Sequence, residues 1–282
     1  MTLLTIIVAA VCLVAVPAQA QLGGLGKSAK SAAKSTVKEA QETATETAKE
    51  AAADAQVAAT DAVNDAATAV IDMAAKKASE KIAAFMDNNN TVLDAGTEYV
   101  NRLNSLTEKY ASVGRSTLNY KIYKNDEINM LALSDGSIRV YSAMMDALSD
   151  DELIAVIATQ IGHIENRDTQ ETLIKAADKG NATDAASAQA DKLLSFAGDK
   201  LGSIVNELLQ VPYTEEQNKA ADEFAFDLLM KNGNSTDGLV SALRKFAEME
   251  AAPSTSEQAE KSAKFTKVNS NNSSRASLMN SK

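Results

Sequence analysis

The chain has 282 residues and a formal net charge of -10 at pH 7. This charge argues against a nucleic-acid partner, because phosphate neutralisation needs clustered Lys and Arg. Hydrophobic residues make up 45% of the chain but aromatic residues only 4%, with no Trp. The composition therefore supplies one moderate core and not two.

Residues 1–20 carry no charge, and an apolar run at 3–16 precedes the pattern Ala18-Gln19-Ala20. This arrangement is typical of a cleaved secretory signal peptide and is short for a membrane span. We therefore expect an exported protein of the periplasm or cell envelope. Cys12 is the only cysteine, but a bulky residue precedes it and the run ahead of it is short. We expect no lipidation there, and a mature chain without disulfides.

Residues 21–90 are rich in Ala, Lys, Glu, Asp and Thr and contain no proline. Alanine is the best helix former, so the segment predicts a long helix or a helical hairpin. Its lysines precede most of its carboxylates, an order that opposes the helix macrodipole. Two interpretations stay open: a solvated spacer of partial helicity, or an amphipathic segment that contacts a membrane or the cell wall. Larger apolar residues from Val57 to Met86 predict that the second half docks on the following domain.

Residues 91–250 carry the periodicities of a mixed domain. Apolar residues recur at helical steps between 93 and 106, and strand-like segments follow at 118–123, 128–133 and 138–142. Turn residues separate the last two strands, which predicts a small antiparallel sheet. We therefore predict an α+β, mainly helical fold with this sheet beside a central helix, after the long Ala-rich helical segment.

That central helix starts at Ser149, where Glu152 completes a capping box. Thr159 and His163 lie four residues apart on a face next to the apolar one. This spacing is the one at which a helix presents two zinc ligands in the HExxH motif, with the intervening Glu as general base. The apolar face consists of Leu153, Val156, Ile157, Ile161 and Ile164.

Further helices are predicted downstream. Thr214 and Gln217 form a second capping box, and the helix that they start ends at Gly233. Another helix covers about 236–249. The Ser-, Asn- and Lys-rich residues 251–282 lack a strong apolar period, so we expect a flexible polar tail.

The segment from 125 to 168 resembles the gluzincin metallopeptidases of the HtpX, Oma and LoiP type, the M48 peptidase family. The matching pieces are Asn129, Gly136 to Ser142, Met144-Met145-Asp146 and Asp151-Glu152-Leu153. In the family, the corresponding pieces lead directly into HExxH. The resemblance covers about residues 95 to 275 and implies the gluzincin fold and a zinc metalloendopeptidase ancestry.

The chain departs from the family at the metal-binding positions. Where the family has HExxH, this chain has Thr159-Gln160-Ile161-Gly162-His163. In the family's ExxAD motif the Glu is the third zinc ligand and the Asp orients a histidine. Here these positions are Asn218 and Asp222. A His-Pro pair and an Arg near the family's C-terminus correspond to Asn269-Ser270 and Arg275, so only the arginine is retained.

These substitutions predict a degenerate site without metal or other cofactor. A catalytic zinc needs three ligands drawn from His, Cys and carboxylates, and His163 is the only histidine. Gln160 cannot accept a proton as Glu does, so no general base remains. The degenerate positions are Thr159, Gln160, His163, Asn218 and Asp222. A lone helical histidine is expected to be a hydrogen-bonded structural residue, and Asp222 either bonds it or faces solvent.

Three functions stay under consideration. The leading one is an exported pseudopeptidase that binds polypeptides or an envelope protein without cutting them. In the family, substrate lies along an edge strand beside the motif helix, which resembles the strand of Ile138, Arg139, Val140, Tyr141 and Ser142 here. The first alternative is an active zinc metalloendopeptidase of envelope protein quality control, which requires zinc. The second is a structural envelope protein that acts through its Ala-rich helix.

Overall fold

The computed structural model describes residues 27–177, 186–195 and 200–282. The predicted signal peptide, with Cys12, lies outside these residues. The chain divides into two compact units, Met1–Thr68 and Ala69–Lys282.

Helix α1 spans Lys27–Asn89, 63 residues in one element. The prediction of a long Ala-rich helix is confirmed, and no hairpin interrupts it. Val57 and Val63 in the first unit are 59% and 68% exposed. In the second unit the helix buries a face that consists of Ala74, Ala75, Ala78, Ile82, Ala83 and Met86. The predicted docking of the later half on the following domain is therefore confirmed, but it begins after Val63.

Five short strands follow a helix in the second unit. In chain order these elements are α2 (Glu98–Thr107), a 3-10 turn (Glu108–Tyr110), β1 (Ser112–Val113), β2 (Ser116–Thr117), β3 (Asn119–Tyr123), β4 (Met130–Ala132) and β5 (Ser137–Tyr141). Strands β1 and β2 form a small hairpin. Strands β3, β5 and β4, in that order, form the main sheet.

The main sheet differs from the predicted one. Strand β5 pairs in parallel with β3 and antiparallel with β4, so the sheet is mixed. The prediction that residues 138–142 form a peptide-binding edge strand is wrong, because β5 is central and hydrogen-bonded on both sides. All five of its residues are buried, and Ser142 already begins the next helix. The parallel partner lies about 18 residues upstream, a pairing that no local pattern indicates.

Nine helices of the described chain follow the sheet. They are α3 (Ser142–Ala147), α4 (Asp150–Glu165), α5 (Asp168–Ala177), α6 (Ala186–Leu194), α7 (Lys200–Leu208), α8 (Glu215–Lys231), α9 (Asp237–Ala251), α10 (Glu257–Val268) and α11 (Asn272–Met279). Both predicted capping boxes form, at Ser149 and at Thr214. Gly233 follows α8 with a φ of +73°, a left-handed conformation that glycine adopts without strain.

The predicted flexible tail is ordered in this structure. Residues 251–282 contain α10 and α11, and Phe265 of α10 is only 3% exposed. The apolar period is weak because several inward positions carry polar side chains that find hydrogen bonds inside the protein. These buried polar residues are Ser262, Thr266, Asn269, Asn272 and Arg275.

Helix α4 lies at the centre of the unit. Residues from Glu152 to Ile164 are all buried, and its neighbours include α8, α9, α5 and β4. The predicted class, α+β and mainly helical with a small sheet, is confirmed. Across the described parts of the chain, no helix is both long and apolar enough to cross a membrane.

Candidate functional site

Helices α4 and α8 cross at backbone contact beside the degenerate positions. A Cβ atom on Gly162 would lie 2.7 Å from the carbonyl oxygen of Ala221 and 2.9 Å from its Cα. A Cβ atom does not approach other atoms this closely, so only glycine permits this approach of the two helices. The crossing brings residues 159–163 of α4 against residues 218–222 of α8. The sequence motifs that resemble the family's two ligand-bearing segments therefore meet.

Thr159 occupies the position of the first family ligand and is buried. Its hydroxyl lies 3.3 Å from the carbonyl oxygen of Ala155 and 3.3 Å from Oδ1 of Asp222, and can donate to either. The side chain thus links the motif helix to α8 through a hydrogen bond to a carboxylate.

Asp222 is fully buried and forms a forked ion pair with Arg275 of α11. Arg275 donates from Nε to Oδ2 at 2.7 Å and from Nη2 to Oδ1 at 2.8 Å. This two-point geometry is the strongest form of carboxylate pairing in proteins. Both expectations for Asp222 are wrong: it does not bond His163 and it does not face solvent. The sequence retains the family's arginine at Arg275. It does not indicate that Asp222, which lies 53 residues earlier, is the partner of this arginine.

Gln160 and Asn269 extend the buried polar cluster toward α10. Gln160 donates from Nε2 to Oδ1 of Asn269 at 3.3 Å. Asn269 in turn donates from Nδ2 to the carbonyl oxygen of Phe265 at 3.1 Å. Arg275 also donates from Nη1 to the backbone oxygen of Asn269. The two positions that resemble the family's third element therefore reach this cluster.

His163 is fully buried and held from two sides. Its Nδ1 lies 2.8 Å from Oδ2 of Asp168, and its ring stacks on Tyr213 at 3.7 Å with planes 10° apart. Burial lowers the pKa of His163, against the opposing effect of Asp168. With the carboxylate facing Nδ1, we assign the proton to Nδ1 and leave Nε2 as an acceptor. This is the environment of a structural histidine.

Within the part of the chain that the structure describes, three atoms of the cluster have no hydrogen-bond partner. They are Nε2 of His163 and both side-chain amide atoms of Asn218. Asn218 stands at the third family ligand position and is fully buried.

These side chains do not fit a zinc ion. The carboxylate of Asp222 is committed to Arg275, and that of Asp168 to His163. What remains is a threonine hydroxyl, an asparagine amide and one imidazole nitrogen, whereas zinc sites use thiolate, imidazole and carboxylate ligands. In the described residues, no group of three or more His, Cys, Asp and Glu side chains is arranged to hold a metal ion.

Aromatic side chains close the space in front of Thr159 and Gln160. Phe246 of α9 and Phe265 of α10 contact each other with ring centroids 4.8 Å apart. The cavity left between these residues and Arg275 has a volume of about 10 Å³, which is close to the space of one water molecule. A peptide side chain does not fit in this conformation.

The residues of the predicted binding strand perform a structural role. Arg139 is buried and donates from Nε to Oδ1 of Asp87 at 2.8 Å and from Nη2 to Oδ2 at 3.1 Å. It also contacts Asn119 of β3. Arg139 therefore ties the later part of α1 to the sheet.

A larger polar cavity, of about 120 Å³, lies beside the turn between α4 and α5. Its arginines are already paired: Arg167 holds Asp72 at 2.9 Å, and Arg115 approaches the same carboxylate at 3.4 Å. Arg115 also donates to the carbonyl oxygens of Ile164 and Glu165. The cavity is therefore the surface of an ion-pair network that anchors α1, without uncommitted arginines.

Two residues of the cluster were not predicted from the sequence. Asp168 lies only five residues after His163, within reach across the helix end, and this proximity is a usable signal. Tyr213 directly precedes the capping box of α8, where an apolar residue often packs against the helix. Nothing in its local sequence indicates stacking on His163.

Comparison with known proteins places the chain in a family. The model of Peptidase family M48 matches residues 98–267. Metalloprotease LoiP of Escherichia coli (strain K12) is 30% identical over 186 residues, which cover 65% of this chain and 73% of LoiP. Metalloprotease YcaL of the same strain is 29% identical over 185 residues, with the same coverage.

A more distant relative is the putative beta-barrel assembly-enhancing protease of Vibrio cholerae. It is 26% identical over 168 residues, which cover 57% of this chain and 34% of the relative. The family match includes α4, α8 and the sheet, the elements that carry the resemblance in the sequence and that meet at the buried cluster. The chain belongs to Peptidase family M48.

Proposed function

We propose that this protein is an exported pseudopeptidase, an M48 family member that binds polypeptides or an envelope partner without cutting them. One observation carries the proposal. The family's first and third ligand positions hold the neutral side chains of Thr159 and Asn218, and the nearby carboxylate of Asp222 is bonded to Arg275. The ligands that remain do not suffice for zinc.

The position of the general base supports the same proposal. Gln160 replaces the glutamate of HExxH, and its amide donates a hydrogen bond to Asn269. An amide does not take a proton from water at neutral pH. Export is proposed from the uncharged leader at residues 1–20 and its Ala-x-Ala pattern.

The proposal is tested with fluorescein-labelled casein as an unfolded polypeptide. We expect the full-length mature protein to bind the casein and to leave it uncut, with or without added zinc. A matched variant, Thr159→His/Gln160→Glu/Asn218→Glu, restores the family's ligands and base on the same frame. Cleavage by the unmodified protein that a zinc chelator abolishes would contradict the proposal and support the active metalloendopeptidase.

A second candidate function is structural action through helix α1. The exposed Val57 and Val63 on a continuous 63-residue helix favour it, since a long helix gains most of its stability from packing. A variant without residues 21–68 keeps the ion pairs of Asp72 and Asp87. Retained casein binding by this variant favours the pseudopeptidase. Loss of binding with an unchanged unfolding transition favours the structural role.

A further inference from the structure

The unpartnered atoms at the degenerate site require an explanation. Nε2 of His163 and both amide atoms of Asn218 are buried and find no hydrogen-bond partner among the described residues. Buried polar atoms are nearly always paired, with protein or with ordered water, because an unpaired one loses its hydration without compensation. Three such atoms at one helix crossing therefore point to a shared partner.

The helix crossing brings these atoms into one neighbourhood. His163 directly follows Gly162, which touches the backbone of Ala221 on α8. Asn218 lies one turn before Asp222 on the same helix, and Asp222 is hydrogen-bonded to Thr159, one turn before His163. The imidazole edge and the amide thus flank the same contact between α4 and α8.

The chemistry of the three atoms defines what binds there. His163 presents an acceptor at Nε2, because its Nδ1 faces the carboxylate of Asp168. The amide of Asn218 presents a donor and an acceptor. A direct bond from Nδ2 of Asn218 to Nε2 of His163 would leave Oδ1 of Asn218 unpaired. A water molecule donates two hydrogen bonds and accepts two, so one molecule serves all three atoms.

A cation does not suit this neighbourhood. One imidazole nitrogen and one amide oxygen are too few ligands for a transition metal. The nearby carboxylates are already committed, that of Asp222 to Arg275 and that of Asp168 to His163. Neutral water, which needs two to four polar partners, matches the side chains that are present.

We infer that Nε2 of His163 and the amide of Asn218 hold one ordered water molecule, which takes the place of the metal in this family member. The inference rests on the proposed loss of zinc. The water completes the polar cluster of α4, α8 and α11, so that the cluster is a structural network in which each buried group is paired.

A crystal structure of the mature protein, with diffraction data at the zinc absorption edge, tests the inference directly. We expect one density peak within hydrogen-bond distance of His163 Nε2 and of the Asn218 amide, without anomalous signal. A zinc signal at that peak would overturn both this inference and the proposed function. The absence of a peak, or a direct bond between the two side chains, would overturn the water alone.

Two variants extend the test to solution. Asn218→Leu keeps the approximate shape of the side chain but removes the amide that bonds the water. It should lower the midpoint of thermal unfolding by about 2–4 °C, because His163 then remains unpaired. The control is Ser79→Ala on α1. The hydroxyl of Ser79 is a single buried group that finds no hydrogen-bond partner among the described residues, so its removal should not lower the midpoint. A rise with Asn218→Leu would contradict the water.

Because the chain has a single histidine, nuclear magnetic resonance can report the hydrogen bond at Nε2 of His163 directly. A chain labelled with ¹⁵N-histidine gives one imidazole spectrum, because His163 is the only histidine. In the unmodified protein we expect the tautomer protonated at Nδ1, with Nε2 in a hydrogen bond. Asn218→Leu should shift the Nε2 resonance toward that of a free acceptor. An unchanged Nε2 resonance would show that Asn218 holds no water against the ring.

Discussion

The two faces of helix α4 are buried to the same degree but by different means. One face packs Leu153, Ile157 and Ile161 into the apolar core. On the other face, Thr159 bonds Asp222 of α8 and His163 bonds Asp168 of α5, so hydrogen bonds and an ion pair replace apolar contact. The comparison teaches that side chains of opposite chemistry can bury the two faces of one helix equally well. The hydrogen bonds and the ion pair on the polar face therefore stabilise the packing of α4.

The two faces should differ in how strongly a substitution destabilises the fold. An apolar contact degrades gradually as atoms are removed. Removing one partner of a buried ion pair is strongly destabilising, since it leaves the other charge buried without compensation.

The largest effect is expected from Asp222→Ala, which leaves the guanidinium of Arg275 buried and unpaired. The free energy of unfolding should fall by about 3–5 kcal/mol. Urea unfolding followed by circular dichroism measures it. The double variant Asp222→Leu/Arg275→Met is the control, and it should recover most of the loss. An Asp222→Ala protein as stable as the unmodified one would show that the polar face does not stabilise the fold.

Phe265→Ala probes the apolar closure in front of the degenerate site. Phe265 packs on Phe246, and truncation of such a buried ring costs about 3 kcal/mol. The same urea titration applies, with Val63→Ala on the exposed part of α1 as control. An effect below about 0.5 kcal/mol, the range of ordinary surface substitutions, would mean that residues 251–282 are the flexible tail predicted from the sequence.

A smaller, pH-dependent effect is expected at the start of α4. Burial opposes ionisation of Glu152, but hydrogen bonds from Lys245 at 2.6 Å, from Ser241 at 2.5 Å and from the Ser149 backbone outweigh it. Together they lower the pKa of Glu152 to about 2. Because this pKa is lower than in the unfolded chain, the stabilisation is complete above about pH 4.5. It is lost as the pH falls toward 2.

Thermal unfolding between pH 6 and pH 2 tests this dependence. In Glu152→Gln, which cannot ionise, the unfolding midpoint should fall less steeply below pH 4.5 than in the unmodified protein. Parallel curves for the two proteins would show that Glu152 does not contribute to the acid sensitivity.

The smallest effect is expected on α1. Val63→Asp changes a residue that is 68% exposed, so the free energy of unfolding should change by less than about 0.5 kcal/mol. Ile82→Asp, on the buried part of the same helix, is the matched comparison and should lower the free energy of unfolding far more than Val63→Asp. A strong effect of Val63→Asp on stability or on the size of the particle in sedimentation would show that a partner covers this part of α1.

Most of the helices could be predicted from the sequence alone, because the sequence patterns that indicate helices are local. The capping boxes at Ser149 and Thr214 and the apolar steps of α4 each lie within one or two helical turns. The degenerate positions could also be named, because the ligand motifs have fixed spacing. These features require no knowledge of which segments meet.

The remaining features depend on contacts between distant segments. Arg275 pairs with Asp222 across 53 residues, and β5 is central only because β3 joins it in parallel. The sequence did not predict that α10 and α11 are ordered helices, because their inward residues, such as Asn269 and Asn272, are polar. A pattern method reads such residues as solvent-exposed, whereas here they bond to each other and to Arg275.

The central claim is that the buried cluster does not bind zinc. Its most direct test is the zinc content of the purified mature protein, by inductively coupled plasma mass spectrometry after dialysis against buffer with trace zinc. Beside it, the Thr159→His/Gln160→Glu/Asn218→Glu variant reports whether the same frame accepts the metal when ligands are supplied. We predict zinc close to zero for the unmodified protein and a marked rise for the variant. About one zinc per unmodified chain, held through His163, would contradict the account.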